Sequence, residues 1–198
     1  MKPLLIIFCK NLIAGRVKTR LANSIGNKKA LLIYQKLIER TKRIVLPIEN
    51  HKIIYYSDFI DHKDNWSNFV NEKKIQKGNN LGERMLNAFA DGFRAYYSPI
   101  ILIGSDLWDL NYNEINYAFK QLKNNDYIFG PSIDGGYYLI GMKKLNHNLF
   151  ENKTWSSSFL LKETLQDINS KKIFLLESKN DIDTIEDLIL NKDLKTFI

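Results

Sequence analysis

The sequence predicts an α/β protein with a mainly parallel sheet. Several apolar runs are continuous rather than alternating with polar residues, which is typical of strands covered on both faces. Amphipathic segments separate most of these runs, and strands that alternate with helices favour a layered domain with a parallel sheet. The predicted strands are 4–9, 52–57, 99–105, 127–131, 137–142 and 172–177.

Helical periodicity accounts for the segments between the strands. Apolar residues recur three and four positions apart in 27–45, and Leu81, Met85 and Phe89 share one face in 81–97. Further helices are predicted at 112–123, 156–168 and 184–191.

Composition limits the class of protein. The 198 residues, 44% of them apolar, contain no repeat or linker, so we expect a single domain over 1–198. No apolar run approaches the roughly 20 residues of a membrane helix. The N-terminus lacks a signal-peptide cleavage site. Cys9 is the only cysteine, which excludes an internal disulfide and makes the cytoplasm the default expectation.

The net charge of +7 indicates an anionic partner. No zinc-finger spacing and no basic stripe interleaved with aromatic residues is present, so a nucleotide is favoured over nucleic acid. We expect no membrane span, and the oligomeric state stays open.

A basic loop follows the first strand, at the edge where open α/β sheets bind ligands. The loop lacks the phosphate-binding G-x-x-x-x-G-K-[ST] pattern and the dinucleotide G-x-G-x-x-G pattern. Its cations and backbone N–H groups could bind a polyphosphate; a solvated surface loop is the alternative. The candidate phosphate-binding residues are Lys10, Gly15, Arg16, Lys18, Thr19 and Arg20.

A second candidate element is "GNNLGERM", residues 78–85. Asn80 and Glu83 form a capping box for the following helix, which explains them without any ligand. Gly78, Leu81 and Arg84 are the alternative candidates for a glycine loop over the nucleotide.

Acidic residues follow two apolar runs. Asp106 and Asp109 come after the run 99–105, and Asp134 precedes Gly135, Gly136 and Tyr137. Mg²⁺ on phosphate oxygens takes one or two carboxylates and keeps several waters, so Asp106 and Asp134 could hold such an ion. A turn or cap for Asp106, and a hairpin turn for the D-G dipeptide, are the alternatives.

The motif "NDIDTIEDL" contributes Asp181 and Asp183 before a predicted helix. Asp183 is a candidate second metal ligand. Thr184 with Asp187 makes a helix cap, which explains the motif equally well.

Six motifs taken in order resemble the DUF2064 group, also called radical-SAM/selenodomain-associated transferase 1, some of whose members are named arsenosugar-biosynthesis glycosyltransferases. The resemblance covers roughly residues 5–190. It is carried by "FCKNLIAGRVKTRL", "NNLGERMLNAF", "ILIGSDLWDL", "DYIFGPSIDGGYYLIGM", "LF…TWSSS" and "DIDTIEDL".

The resemblance implies a GT-A-like, three-layer α/β/α fold with a mixed sheet, similar to nucleotide-diphospho-sugar transferases and more distantly to guanylyltransferases of cofactor synthesis. It implies a nucleotide or nucleotide-sugar ligand and a divalent metal, Mg²⁺ or Mn²⁺, for which Asp106 matches the acid that GT-A enzymes use. Asp134 and Asp183 are the candidates for further metal ligands. The residues it suggests for the sugar or acceptor side are Trp108, Gly135, Gly136, Tyr137 and Trp155. This chain departs from the family at three positions. Trp108 stands where the family usually has proline, and Asn11 and Ile13 in the basic loop stand where it more often has prolines.

The leading hypothesis is therefore a metal-dependent glycosyltransferase that uses a nucleoside-diphosphate sugar and a small-molecule acceptor. In this hypothesis Asp106 coordinates the metal, and Asp109 or Asp134 acts as the general base. A nucleotidyltransferase with an NTP donor is the alternative, and a non-catalytic nucleotide-binding module is a third. None of the three histidines lies in a convincing motif.

Overall fold

The computed structural model of the chain describes residues 1–197. Seven strands form one sheet: β1 (Lys2–Cys9), β2 (His51–Tyr56), β3 (Glu72–Ile75), β4 (Tyr97–Ile103), β5 (Tyr127–Pro131), β6 (Tyr137–Met142) and β7 (Ile173–Leu175). Their order across the sheet is β3-β2-β1-β4-β6-β5-β7. Only β6 runs antiparallel to its neighbours. The GT-A-like mixed sheet expected from the sequence is confirmed.

Six helices cover the two faces of the sheet: α1 (Thr19–Ile25), α2 (Asn27–Val45), α3 (Leu81–Arg94), α4 (Tyr112–Gln121), α5 (Leu160–Gln166) and α6 (Ile185–Leu190). Short 3₁₀ turns occur at Trp66–Asn68, His147–Leu149 and Leu194–Phe197. No helix within residues 1–197 has the length and apolarity needed to cross a bilayer.

The buried strand β1 explains the continuous apolar run at the start of the chain. Leu5 and Ile7 belong to the core beneath α1, α2, α4 and α6, whereas Leu4 and Ile6 belong to the core beneath α3. Successive side chains of a strand point to opposite faces, so both faces need apolar residues. The result is the three-layer arrangement.

Two elements were not predicted, and several others, α3 among them, differ from the prediction in their bounds. The strand β3 was not predicted because its sequence, Glu-Lys-Lys-Ile, is polar, as suits an edge strand. The helix α1 was not predicted because it follows the basic loop directly. The helix α3 ends at Arg94 rather than residue 97, since Tyr97 already pairs with Lys2 in the sheet.

The sheet places its ligand-binding edge at the ends of β1 and β4. These adjacent parallel strands continue into Lys10 and Asp106 respectively, and β6 begins at the same edge with Tyr137. The predicted D-G hairpin exists as well: residues 132–136 join the antiparallel strands β5 and β6. The topology therefore brings the basic loop and the acidic motifs to one edge.

Candidate active site

Two adjoining cavities lie at this edge of the sheet. The larger has a volume of about 270 Å³ and the smaller about 150 Å³. Lys10, Tyr34 and Asp106 line both. The large cavity is otherwise mainly apolar, whereas Lys18, Thr19, Arg20 and Asp183 line the small one.

Lys18 joins the basic loop to the acids. Its side chain is only 3% exposed, and its Nζ donates to Asp106 Oδ2 at 3.1 Å and to Asp183 Oδ1 at 2.7 Å. Lys18 has a left-handed backbone conformation, with φ 46° and ψ 47°. That conformation is costly for a residue with a Cβ and often marks a functional position. The loop therefore turns Lys18 inward, toward the carboxylates.

Lys18 and Asp106 stabilise each other's charges. Burial alone would lower the pKa of the Lys18 ammonium, but the carboxylates of Asp106 and Asp183 outweigh burial and raise it. Burial alone would raise the pKa of Asp106, and Lys18, with Lys10 further away, lowers it below its usual value. Both groups are charged at neutral pH.

Asp181 is the exception among the acids. Ser132 Oγ donates to its Oδ2 at 3.1 Å, but its Oδ1 is buried and no donor within residues 1–197 reaches it. Burial first, and then the negative charge of Asp106, raise the pKa of Asp181 to about 7. We call Asp106, Asp181 and Asp183 the carboxylate cluster. It carries more negative charge than Lys18 balances.

The residues fit a divalent cation in their chemistry. Carboxylate oxygens are the ligands that Mg²⁺ and Mn²⁺ prefer. Asp181 lines the large cavity with Asp106, and its Oδ1 is buried without a hydrogen-bond partner within residues 1–197. Across the described residues, 1–197, no three His, Cys, Asp or Glu side chains already stand in metal-binding geometry. A metal would therefore need phosphate or water oxygens as further ligands, and its presence stays a prediction.

Tyr34 holds the two strand ends together, although nothing in the sequence singles it out from its helix. Its hydroxyl accepts from the Lys10 backbone N–H at 2.8 Å and shares a 2.9 Å hydrogen bond with Ser105 Oγ. Burial raises its pKa well above the usual value, so the hydroxyl stays neutral. An amphipathic pattern treats a tyrosine as a core residue, and only the fold reveals its polar partners.

The rest of the basic loop divides between the site and the surface. Arg20 reaches Asp183 at 3.7 Å, and Thr19 lines the small cavity. Arg16 instead pairs with Asp58 at 3.6 Å and is 68% exposed. Gly15, with φ 80°, makes the turn and lines neither cavity.

The glycine segment contributes one wall of the large cavity. Leu81 lines it, whereas Arg84 donates from Nε to the carbonyl of Gly78 at 3.1 Å and is not part of the lining. Asn80 and Glu83 form the predicted cap of α3. Helix capping therefore explains most of the segment 78–85, and only Leu81 lines the cavity.

The predicted sugar or acceptor residues are split as well. Tyr137 lines the large cavity, next to the hairpin that contains Gly136. Gly135 has φ 91°, and a Cβ there would lie 2.0 Å from the Ser158 carbonyl oxygen, so this position requires glycine. Asp134 is exposed and accepts from the Gly136 N–H at 3.0 Å.

Three further predicted residues also line neither cavity. Trp108 donates to Asp193 at 3.2 Å, and Asp109 is exposed to solvent. Trp155 packs against Gly82, where a Cβ would lie 2.4 Å from the indole. The fold places these side chains beside the site rather than in it.

Several solved structures share this fold. A protein of Desulfovibrio desulfuricans G20, provisionally assigned as a nucleotide-diphospho-sugar transferase, superposes with a TM-score of 0.88 at 28% identity, covering 96% of this chain and 87% of its own. A cytidylyltransferase of Leptospira borgpetersenii gives 0.59 at 17% identity, over 100% and 88%. A CMP:2-keto-3-deoxy-manno-octonic acid synthetase in complex with CTP gives 0.60 at 9% identity, over 99% of each.

The family follows from the sequence comparison. The DUF2064 family, described as an uncharacterized protein conserved in bacteria, matches residues 49–157, and the chain belongs to this family. The resemblance seen in the motifs is thereby confirmed. The relative at 28% identity agrees with the predicted transferase class. No curated protein matches the chain.

Proposed function

We propose that the protein is a metal-dependent glycosyltransferase that uses a nucleoside-diphosphate sugar. The observation that carries the proposal is the contact of Lys18 with Asp106 and Asp183, at 3.1 and 2.7 Å. Cations of the basic loop and acids of two distant motifs share one small site, as recognition of a metal-bound diphosphate requires. The relative at 28% identity, assigned to the nucleotide-diphospho-sugar transferases, supports sugar transfer.

The small cavity is the proposed diphosphate site. Lys10, Lys18 and Arg20 line it, and ammonium and guanidinium groups bind phosphate through charge-assisted hydrogen bonds. Because Lys18 is fixed by two carboxylates before the donor arrives, its charge needs little reorganisation during the reaction. It stabilises the negative charge that builds on the departing nucleoside diphosphate.

Asp106 would hold the metal, with Asp181 or Asp183 as a second ligand. Such an ion would supply Lewis-acid chemistry for the departure of the leaving group. Asp181 fits this role because its Oδ1 is buried without a partner. The exposed Asp134, predicted from the sequence as a ligand, is an alternative to it.

The acceptor needs a base if the reaction inverts the anomeric centre. Asp134 and Asp109 are the candidates. Neither acid lines a cavity, but the charge of Asp134, unlike that of Asp109, acts on Asp181 in the large cavity. This difference supports Asp134 as the base.

Nucleotidyl transfer is the second candidate. Three cations in the small cavity, Lys10, Lys18 and Arg20, suit a triphosphate as well as a diphosphate. Such an enzyme would take an NTP and a phosphorylated acceptor and release pyrophosphate. The shared fold of the cytidylyltransferase and the synthetase is compatible with it.

Thermal unfolding with added ligand tests the proposal. A ligand at a hundred times its Kd adds about 2.7 kcal/mol to stability. We expect stabilisation by NDP-sugars that depends on Mn²⁺. Stabilisation by one NTP, with pyrophosphate release, would favour nucleotidyl transfer instead. Metal-independent binding of all nucleotides without product would leave only a binding module.

Asp106→Asn is the decisive variant, with Asp109→Asn as its matched control. Asp106 lines both cavities, and Asp109 is an exposed acid three residues away. We expect Asp106→Asn to abolish the metal-dependent stabilisation while the unliganded protein stays folded. Asp109→Asn should retain it. An unchanged metal response in Asp106→Asn would contradict the assignment.

A further inference from the structure

The segment that carries Asp106 has little backbone support of its own. Residues 104–110 lie between β4 and the cap of α4, and no backbone-to-backbone hydrogen bond within residues 1–197 involves 105–110. Leu107 and Leu110 are buried and anchor the segment to the core, but apolar burial is not directional. Backbone carbonyls next to a core need hydrogen-bond partners, so side chains have to supply them here.

Arg40 of α2 supplies these partners. Its Nε donates to the Trp108 carbonyl at 3.2 Å, and its Nη2 donates to the Leu110 carbonyl at 3.4 Å. The guanidinium also lies against the Trp108 ring, with 5.9 Å between Cζ and the ring centroid, and the Nε1 of this ring donates to Asp193. A planar guanidinium carries its donors in a fixed fork, so one side chain can hold two carbonyls at once.

The same helix holds the segment on the other side of Asp106. Tyr34 shares its 2.9 Å hydrogen bond with Ser105, the residue before Asp106, whereas Arg40 binds the residues that follow. The two anchors belong to the long helix α2, where a spacing of six residues is roughly 9 Å along the axis. Asp106 is therefore bracketed by two fixed points of one rigid element.

Arg40 itself lies outside the site. It lines neither cavity, whereas Asp106 lines both and accepts from Lys18 Nζ at 3.1 Å. Replacing a residue that orients a metal-ligating side chain typically lowers metal affinity or activity by about 10–100-fold. Any effect of Arg40 on a ligand has to pass through the segment that holds Asp106.

We propose that Arg40 is a positioning residue of the candidate active site, which holds Asp106 where it meets the metal-bound diphosphate of the donor. The inference rests on the proposed function. Arg40 touches no ligand and acts through the backbone of residues 105–110. The part of nucleotide binding that needs no metal is therefore independent of Arg40.

Nucleotide affinity with and without metal tests this role. Calorimetric titration of the full chain with CDP, ADP, GDP and UDP, in Mn²⁺ and in EDTA, first identifies the nucleoside diphosphate that binds most tightly. We expect Arg40→Met to weaken its binding in Mn²⁺ by at least about 10-fold, and to leave its affinity in EDTA within about 2-fold of wild type. A general loss of structure would weaken both.

Arg43→Met is the matched control, since Arg43 is an exposed arginine of the same helix. It should keep both affinities. Equal weakening by Arg40→Met in Mn²⁺ and in EDTA would overturn the inference. If Arg40→Met does not fold, Arg40→Lys takes its place under the same criteria, because an ammonium keeps the charge but lacks the fork that spans two carbonyls.

Limited proteolysis of the ligand-free chain with chymotrypsin measures the anchor itself. Loss of two hydrogen bonds raises the population in which the segment is open. We expect cleavage after Leu107, Trp108 or Leu110 to become about 10-fold faster in Arg40→Met and to stay unchanged in Arg43→Met. Unchanged cleavage in Arg40→Met would overturn the inference without any ligand.

The two proposals can fail separately. If the wild type binds a nucleoside diphosphate with Mn²⁺ and Arg40→Met keeps the full affinity, only the role of Arg40 is overturned. If no nucleoside diphosphate binds to the wild type, the proposed function falls and the role of Arg40 in it falls too.

Discussion

Two lysines with mostly buried side chains, Lys18 and Lys73, pair with carboxylates in different ways. Lys73 pairs with Asp64 at 2.5 Å, and both side chains are mostly buried, at 13% and 16% exposure. Asp64 also accepts from the Tyr56 hydroxyl at 2.6 Å and from the Trp66 N–H at 3.1 Å. We call this group the balanced pair. Lys18 instead faces the carboxylate cluster, in which Asp181 Oδ1 has no partner within residues 1–197.

The difference separates a structural ion pair from a site. In the balanced pair one lysine neutralises one carboxylate, and both oxygens of that carboxylate accept hydrogen bonds. The pair therefore holds the segment between β2 and β3 in place. In the carboxylate cluster Lys18 contacts two of the three acids, Asp106 and Asp183, beside two cavities. Buried polar groups left unpartnered are rare in stable folds and mark positions kept for another purpose.

Exchanging each lysine for methionine should give the largest contrast. Lys18→Met removes the fixed positive charge from the small cavity, so we expect transferase activity to fall about 100-fold or more. Lys73→Met should leave activity within about 2-fold of wild type but lower the free energy of unfolding by about 1–3 kcal/mol, because Asp64 loses its counter-ion. Steady-state rates and urea unfolding measure the two effects. Equal losses of activity in both variants would contradict the distinction.

Removing one tyrosine hydroxyl beside each group tests the distinction between the balanced pair and the carboxylate cluster more finely. Tyr34→Phe leaves the Lys10 N–H without its 2.8 Å partner, and Tyr56→Phe takes one donor from Asp64. We expect each to cost about 1–3 kcal/mol of unfolding free energy. Only Tyr34→Phe should also weaken donor binding, because Tyr34 holds the backbone of Lys10 beside the phosphate site. Calorimetry on the two variants separates these outcomes.

The two groups should respond to pH with opposite signs. Burial opposes ionisation of Asp64, but its hydrogen bonds from Lys73 and Tyr56 lower its pKa. The stability it contributes is present above pH 3.8 and is lost as the pH falls. The pKa of Asp181 is raised to about 7, so its contribution is full below pH 3.8 and is lost as the pH rises to about 7.

Unfolding without ligands at pH 5 and pH 8 tests this. Asp181→Asn should reduce the loss of stability between the two values, whereas Asp64→Asn should leave that loss unchanged and destabilise at both. If Asp181→Asn loses as much stability between pH 5 and pH 8 as the wild type does, the raised pKa of Asp181 is contradicted.

The smallest effect is expected at the surface. Arg16 and Asp58 form an exposed pair, with exposures of 68% and 43%, and such pairs contribute about 0–1 kcal/mol. Arg16→Ala should therefore change neither stability nor donor affinity measurably. Arg20→Ala should weaken donor binding, because Arg20 lines the small cavity. A larger effect of Arg16→Ala would restore the role predicted from the sequence.

The sequence was sufficient for the strands of the core. The runs 127–131 and 137–142 match β5 and β6 to the residue, because buried strands need apolar residues throughout. It was not sufficient for β3, whose polar sequence is stable only because β2 pairs with it. Hydrophobic patterns report burial, and an edge strand is held by backbone hydrogen bonds that leave little trace in the pattern.

The sequence by itself determined the class of the fold and the motifs from which the site is built. Lys18, Asp106 and Asp183 could be singled out because each lies in a short motif next to a strand or a helix. Only the tertiary structure decided that they touch, that Arg16 pairs elsewhere, and that Asp181 Oδ1 has no partner within residues 1–197. The physical reason is distance along the chain. Contacts between residues 88 and 165 positions apart depend on strand order, which no local pattern records.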